Sequence, residues 1–273
     1  MSPPPLWPVQ ALREAVAPVW PGLTVEVLPE IDSTNSELMR RARAGQTSPV
    51  LLVAQHQTAG RGRRGRDWVS SAGDSLTFSL GLPLAPVAWS GLSLVVGVAV
   101  AESLAPEIAL KWPNDLWFAG RKLAGILVET ASAVAAQSRD TSVQASSVSS
   151  VQPPVRYAVV GVGVNIAARA PVEGSDIAPA GLRELWPQAD APGALTRIVA
   201  PLIRALRSFE QEGFAPFEAR FAARDVLQGR SVTLSDGTAG TARGVDRSGA
   251  LLVHTAAGLQ RVSSSEVSVR PTL

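Results

Sequence analysis

The stretch Val50-Leu51-Leu52-Val53-Ala54-Gln55-His56-Gln57-Thr58-Ala59-Gly60-Arg61-Gly62-Arg63-Arg64-Gly65-Arg66-Asp67-Trp68 joins two segments of opposite character. Its first five residues are an unbroken apolar run, short enough for a buried strand rather than a helix. The run delivers the chain into a loop with four arginines between positions 61 and 66, interleaved with glycines that let the backbone come close to a ligand. Gly60, Gly62 and Gly65 match G-x-G-x-x-G. The dinucleotide reading, however, requires a helix to open there and face the pyrophosphate, and Arg66-Asp67-Trp68-Val69-Ser70-Ser71 has no helical pattern. The glycine spacing of a P-loop is present too, but Arg66-Asp67 stands where Lys-Ser/Thr must bind phosphate and magnesium. Taken alone, the loop is as readable as a ligand site as it is as the two bland alternatives together, a solvated basic turn or an arginine–glycine patch for RNA.

Outward from this loop the chain alternates strand and helix signals. Residues 23–28 read as a short strand, and Thr34 followed by Glu37 fits a capping box for a helix over 35–44, ended by Gly45. Residues 75–82 alternate as a strand, and 91–104 read as a buried helix. Residues 108–112 and 122–129 suggest two strands of a hairpin reversing at Ala119-Gly120. Residues 156–166 suit a central strand whose Gly161 and Gly163 admit a close neighbour. Leu195, Ile198, Val199, Leu202, Ile203 and Leu206 keep helical period, with Pro201 expected to kink the helix or mark a restart, and a further short helix runs from Pro216 to about Arg224. Short alternating runs at 231–234, 239–245, 251–254, 259–262 and 267–269, separated by Asp236-Gly237, Ser248-Gly249 and Gly258, indicate a small β-barrel.

Composition narrows the function classes. The 25 Lys and Arg against 23 Asp and Glu leave a net charge of +2, too small a field to argue nucleic-acid binding across the whole chain. Cysteine is absent and only His56 and His254 are imidazoles, which excludes disulfide frameworks, thiolate sites and most histidine–metal chemistry. Residues 1–20 lack the basic start and apolar core of a signal peptide. The longest apolar tract, 92–101, is far short of the ~20 residues that cross a bilayer, so a cytoplasmic protein without membrane partners is expected. Residues 131–154, with seven serines and two closing prolines, suit a flexible insertion.

A second constellation is Lys111-Trp112-Pro113-Asn114-Asp115, followed by Arg121-Lys122-Leu123-Ala124-Gly125-Ile126-Leu127-Val128-Glu129. Lys122 opens an apolar strand, where a lysine either snorkels to solvent or fixes a charge against an anionic substrate. Asn114 and Asp115 are also ordinary turn formers.

The order of the pieces resolves these ambiguities. Asp32-Ser33-Thr34-Asn35, then Gln57 to Trp68, then Lys111 to Asp115 with Lys122-Leu123-Ala124-Gly125-Ile126-Leu127, then Gly161-Val162-Gly163-Val164-Asn165 closely resemble the biotin–protein ligase family. The resemblance spans residues 25–165, and the tail from about 227 looks like that family's C-terminal SH3-like domain. It implies an α+β fold of the class II aminoacyl-tRNA synthetase-like, biotin/lipoate ligase kind, a mixed sheet with packed helices plus a small SH3-like barrel. The expected division is a catalytic domain over 1–224, carrying the 131–154 insertion, and a C-terminal domain over 225–273. Many relatives carry an N-terminal helix-turn-helix repressor module. Only about thirty residues precede Asp32 here, with Pro3, Pro4, Pro5, Pro8, Pro18 and Pro21 among them, so a ligase of the biotin–[acetyl-CoA-carboxylase] type without repressor function and without a DNA partner is expected.

By resemblance the reaction has two steps. The biotin carboxylate attacks the α-phosphate of ATP to give biotinyl-5′-AMP and pyrophosphate, and a lysine of a biotin carboxyl carrier protein then takes the acyl group. Neither step needs an enzyme nucleophile, in keeping with the absence of a G-x-S-x-G elbow or a cysteine. Fixed cations are what the charge movement demands. The resemblance makes Lys122 and Arg61 catalytic and puts Ser33, Thr34, Asn35, Gln57, Gly60, Arg61, Lys122, Gly125 and Gly161 around biotin. Arg63, Arg66, Trp68, Asn114 and Asn165 fall to ATP. Asp115 is open to three roles: orienting Lys111, binding magnesium, or assisting proton removal from the acceptor lysine. Magnesium is expected with ATP as the screen for its phosphates. Homodimerisation is left open. The competing readings are a lipoate–protein ligase, which shares the fold and acyl-adenylate logic, and a non-enzymatic nucleic-acid-binding protein using the arginine loop.

Overall fold

The computed structural model describes residues 6–132, 153–171, 178–263 and 269–271. It opens with α1 (Val9–Val16), β1 (Thr24–Ile31), α2 (Thr34–Arg43), β2 (Val50–Gln57), β3 (Ser75–Leu84) and α3 (Leu92–Leu104). It continues with β4 (Ala109–Lys111), β5 (Asp115–Phe118), β6 (Arg121–Ser132), β7 (Arg156–Asn165), α4 (Ala191–Glu212) and α5 (Glu218–Ala222). Strands β8 (Ser231–Leu234), β9 (Ala239–Val245), β10 (Leu251–Thr255), β11 (Gly258–Val262) and β12 (Val269–Pro271) complete it.

The first seven strands form one sheet in the order β1-β2-β3-β7-β6-β5-β4, parallel between β1 and β2 and antiparallel elsewhere, which is the expected mixed sheet. Because side chains alternate across a sheet, each central strand serves two layers. Leu76, Phe78, Leu80 and Leu82 of β3 and Ala158, Val160, Val162 and Val164 of β7 point into the main core with α3 and α4. On the opposite face Val50, Leu52, Tyr157 and Val159 pack with Leu38, Met39 and Ala42 of α2. Further along that second face the apolar side chains stop. The aligned positions become Thr77 opposite Gly163 and Ser79 opposite Gly161, with Gly125 and Leu127 alongside on β6. Small and hydroxyl side chains there leave a hollow beside the start of α2.

Four local expectations are corrected. The prolines near the start bracket a helix instead of preventing one, with Pro8 at the N-cap of α1. The cap of α2 is Ser33, one residue earlier than read, and the Thr34 hydroxyl turns to Gln57. The segment read as a hairpin is a three-strand meander: β5 lies between β4 and β6, and Ala119-Gly120, both at positive φ, joins β5 to β6. Helix α4 runs through Pro201 without a restart, its apolar stripe from Leu195 to Phe209 buried on both sides of the proline.

The last five strands form an antiparallel sheet in the order β11-β10-β9-β8-β12. The chain entering it remains stitched to the edge strand β4, since Leu110 N donates to Arg224 O and Val226 N to Leu110 O at 2.8 and 3.0 Å. The turn between β9 and β10 docks beside the end of β4, where Trp112 Nε1 donates to Gly249 O at 3.1 Å. Residues 133–152 of the expected insertion lie outside the described residues, and Ala131 and Ser132 still belong to β6.

Candidate active site

The hollow on the α2 face is a cleft of about 720 Å³, within the ~300–1,000 Å³ usual for small-molecule sites. Ser33, Thr34, Asn35, Gln57 and Asn165 are all buried. Gln57 Oε1 accepts from Thr34 N at 2.8 Å and from the Thr34 hydroxyl at 3.1 Å, which leaves its amide NH₂ as a donor for a ligand. Asn35 Nδ2 donates to Leu127 O and to Glu129 Oε2 at 3.2 and 3.0 Å. Ser79 Oγ lies 2.7 Å from Thr34 Oγ1 and 2.6 Å from Asn35 Oδ1. One hydroxyl hydrogen serves one of these at a time, so this end of the cleft offers both donors and acceptors.

The glycines expected around the ligand are close-approach positions. A Cβ on Gly161 would sit 2.1 Å from Asn35 Oδ1, and one on Gly163 would sit 2.3 Å from the Trp68 ring. Gly60 is held against Trp68, whose N–H donates to Gly60 O at 2.9 Å and closes the arginine loop at its base. Gly125 lies under both Trp68 and Lys122.

The loop arginines divide by partner. Arg61 reaches Glu129 at 3.4 Å and the Ser36 hydroxyl at 3.4 Å. Arg63 is half-buried and donates to Asn114 Oδ1 at 3.1 Å. Desolvation holds its guanidinium below its ordinary value, and Arg64 and Arg66 push the same way against the attraction of Asp115. Arg64 and Arg66 are exposed, and Arg66 stands at the rim of the cleft. Asn114 has its other amide atom on Ile126 O at 2.9 Å.

Lys122 forms a 2.8 Å ion pair with Asp115 and lies 5.9 Å from the Trp68 ring. A register shift between β5 and β6 at this point brings Lys122 opposite Trp117 while Leu116 stays opposite Ala124. Lys122 therefore faces the cleft, with its Nζ 3.2 Å from where a Gly125 Cβ would be. Of the three roles left open for Asp115, this geometry assigns it a partner, Lys122; Lys111 has its Nζ 4.4 Å from the Trp117 ring. Among the described residues no three histidine or carboxylate side chains converge on a point.

Three residues that shape the cleft carry no role in the sequence reading. Ser79 is fully buried behind Thr34 and Asn35 in a strand outside any motif, and Glu129 ends the stretch that Lys122 opens, where nothing in the spacing marks it as the partner of Asn35 and Arg61. Arg169 lies past the end of β7 in a stretch with no pattern; it contacts Asn165 Oδ1 and Val69 O, with its guanidinium 5.8 Å from the Trp68 ring.

Residues 27–142 match the Biotin/lipoate A/B protein ligase family, and residues 229–270 match the Biotin protein ligase C terminal domain. The bifunctional ligase/repressor BirA of Escherichia coli is 36% identical over 260 residues, covering 91% of this chain and 75% of that protein. The biotin–[acetyl-CoA-carboxylase] ligase of Paracoccus denitrificans is 34% identical, covering 88% of this chain and 98% of its own. Among solved structures, the biotin protein ligase from Aquifex aeolicus in complex with biotin and ATP superposes with a TM-score of 0.70 at 28% identity, over 91% of this chain and 99% of that one. With the mixed sheet, the small C-terminal sheet and a cleft that gathers the motifs into one place, the chain belongs to the biotin protein ligases.

Proposed function

We propose that the two-step reaction of this family runs in the cleft with biotin at the Ser33–Gln57–Gly161 end, ATP at the Trp68–Asn165 end, and the reacting atoms between them at Lys122. The protein is an ATP-dependent ligase that forms biotinyl-5′-AMP and transfers biotin to protein. In the first step a biotin carboxylate oxygen bonds to the α-phosphorus as the bond to pyrophosphate breaks. In the second the acceptor lysine's amine bonds to the acyl carbon, AMP leaves, and the amine loses a proton. The acceptor in this reading is a biotin carboxyl carrier protein, and dependence on ATP puts the reaction in the cytoplasm.

Ser33, Thr34 and the Gln57 NH₂ suit a cyclic urea, which both donates and accepts hydrogen bonds. Gly161 admits the ligand close to the backbone. Arg61, now on Glu129, and Arg63 supply cations to the carboxylate and phosphates. Trp68 covers the base, and Asn165 and Asn114 bond the nucleotide. Magnesium belongs here as the counter-ion of ATP's phosphates and not as a resident of the protein, because Asp115 is already neutralised by Lys122. The catalytic unit in this reading covers 1–224 and the C-terminal unit 225–273.

The observation that carries the assignment is the Lys122 ammonium, held by Asp115 at 2.8 Å on β6, which lines the cleft alongside β7. A charge fixed before the reaction needs no reorganisation when negative charge builds at the α-phosphate. Lys122→Ala lowers biotin-dependent adenylate formation by on the order of 10²-fold or more, the cost of removing one preorganised group. Melting changes much less, and Lys122→Arg rescues poorly because a planar fork does not replace a compact ammonium. Near wild-type pyrophosphate release by folded Lys122→Ala would shift the role to Arg61.

A further inference from the structure

Arg169 is the cleft cation that no sequence motif contains. Burial strips water from its guanidinium and lowers it from its ordinary value. Its terminal nitrogens donate to Asn165 Oδ1 and to the backbone oxygen of Val69, the residue after Trp68. Its Nε is buried and without a partner among the described residues. One side chain thus grips both segments assigned above to the nucleotide base.

The consequence for Asn165 follows from donor and acceptor chemistry. A guanidinium only donates, so the amide oxygen must face Arg169. Asn165 Nδ2 in turn donates to Lys122 O at 3.4 Å, and a carbonyl only accepts. Flipping the amide would set NH₂ against a cation and oxygen against oxygen. Asn165 is 2% exposed, so water does not relieve that mismatch. The amide is locked, with one lone pair and one hydrogen left for a ligand.

Purines differ in the same property. Adenine offers a donor at its exocyclic nitrogen beside a ring acceptor, whereas guanine offers an acceptor at O6 beside a ring N–H. A freely turning amide satisfies either pattern, and a locked one satisfies a single pattern. We propose that Arg169 is a positioning residue that makes the nucleotide site selective for adenine over guanine, by fixing the orientation of the Asn165 amide and tying it to the Trp68 segment. The inference rests on the reading of Trp68 and Asn165 as the nucleotide end of the cleft.

Biotin-dependent adenylate formation measured across ATP and GTP concentrations tests it, with biotin affinity measured by calorimetry. Arg169→Ala raises KM for ATP and lowers the ATP-to-GTP ratio of kcat/KM, each by about tenfold, the scale of a hydrogen bond or two lost in a buried site. Biotin affinity stays at the wild-type value and Arg169→Lys recovers part of the ratio. A folded Arg169→Ala protein with wild-type KM for ATP and wild-type ratio overturns the proposal. Should that variant not fold, Arg169→Lys decides, since a lysine cannot bridge both acceptors as a planar fork does; an unchanged ratio then overturns the proposal. Asn165→Ala separates the two levels. If it also leaves ATP saturation unchanged, the nucleotide reading of this end fails and the proposal with it. If it raises KM for ATP while Arg169→Ala does not, only the role of Arg169 fails.

Discussion

At the scale of single residues, the cleft keeps buried polar atoms with no hydrogen-bond partner among the described residues, Trp68 Nε1 and Arg169 Nε among them. Outside the cleft the same holds for Asp225, where the chain passes from α5 to the C-terminal sheet alongside β4. One carboxylate oxygen accepts from Leu227 N at 2.8 Å, and the other is buried with no hydrogen-bond partner among the described residues. Burial pushes this carboxyl from the ordinary 3.8 up to about 6, against the pull of the Leu227 N–H. The sign follows from proton binding. Between these values the unfolded chain has lost the proton and the folded chain keeps it, so the group's contribution to stability falls as pH rises through that window and stays low above it. At ~1.4 kcal/mol per unit the penalty at neutral pH is at most about 3 kcal/mol. Asp225→Asn keeps the acceptor for Leu227 N and removes the charge. Thermal melts of it should exceed wild type at pH 7.5 and converge with wild type near pH 4; equal melting at both would contradict this account. That Ser33, Thr34, Gln57, Gly161 and Lys122 meet in one cleft was legible because they sit in motifs of fixed order. Arg169 was not, because its role depends on where β7 ends in space and not on its neighbours in sequence.

At the scale of elements, the β9–β10 turn fastens the C-terminal sheet to the catalytic layer. Asp246 organises it by accepting from Ser248 N, the Ser248 hydroxyl and Ala250 N at 2.8, 2.6 and 3.0 Å, and it pairs with Arg261. Gly249 then sits at φ +80, and a Cβ there would be 2.7 Å from the Cα of Gly91, itself at the start of α3. Backbone against backbone cannot yield, so Gly249→Ala must lift the turn and break the Trp112–Gly249 hydrogen bond. Gly237, in the β8–β9 turn at φ +90 with nothing within 4 Å, supplies the control, since alanine there brings backbone strain alone. Gly237→Ala should cost about 1 kcal/mol, and Gly249→Ala ~2 kcal/mol or more beyond it. Equal losses in denaturant melts would show that the contact with Gly91 carries no weight. Sequence reading found every strand longer than four residues in the catalytic sheet. It missed β5, four residues flanked by turn formers, and α1, whose prolines suggested breakage although Pro8 stands where a helix begins. Both misses have one cause: short elements draw their stability from neighbours that periodicity does not see.

At the scale of the whole molecule, the mixed sheet and the small C-terminal sheet were legible because apolar runs, glycine turns and helical stripes repeat along the chain with different periods. What was not legible is how the sheet's two faces share the work. One face is apolar from end to end under α3 and α4, while the other passes from core to cleft along the same strands as Tyr157 and Val159 give way to Gly161 and Gly163. That division lets one sheet both hold the fold and carry the cleft. The most direct test of the central claim is to incubate the full chain with ATP, biotin and a biotin carboxyl carrier domain, and to measure the mass of the carrier. The account predicts one biotinyl adduct per carrier on a lysine, formed only when ATP is present, and no adduct when lipoate replaces biotin. A carrier that stays unmodified with biotin while accepting lipoate, or that stays unmodified with both, would contradict it.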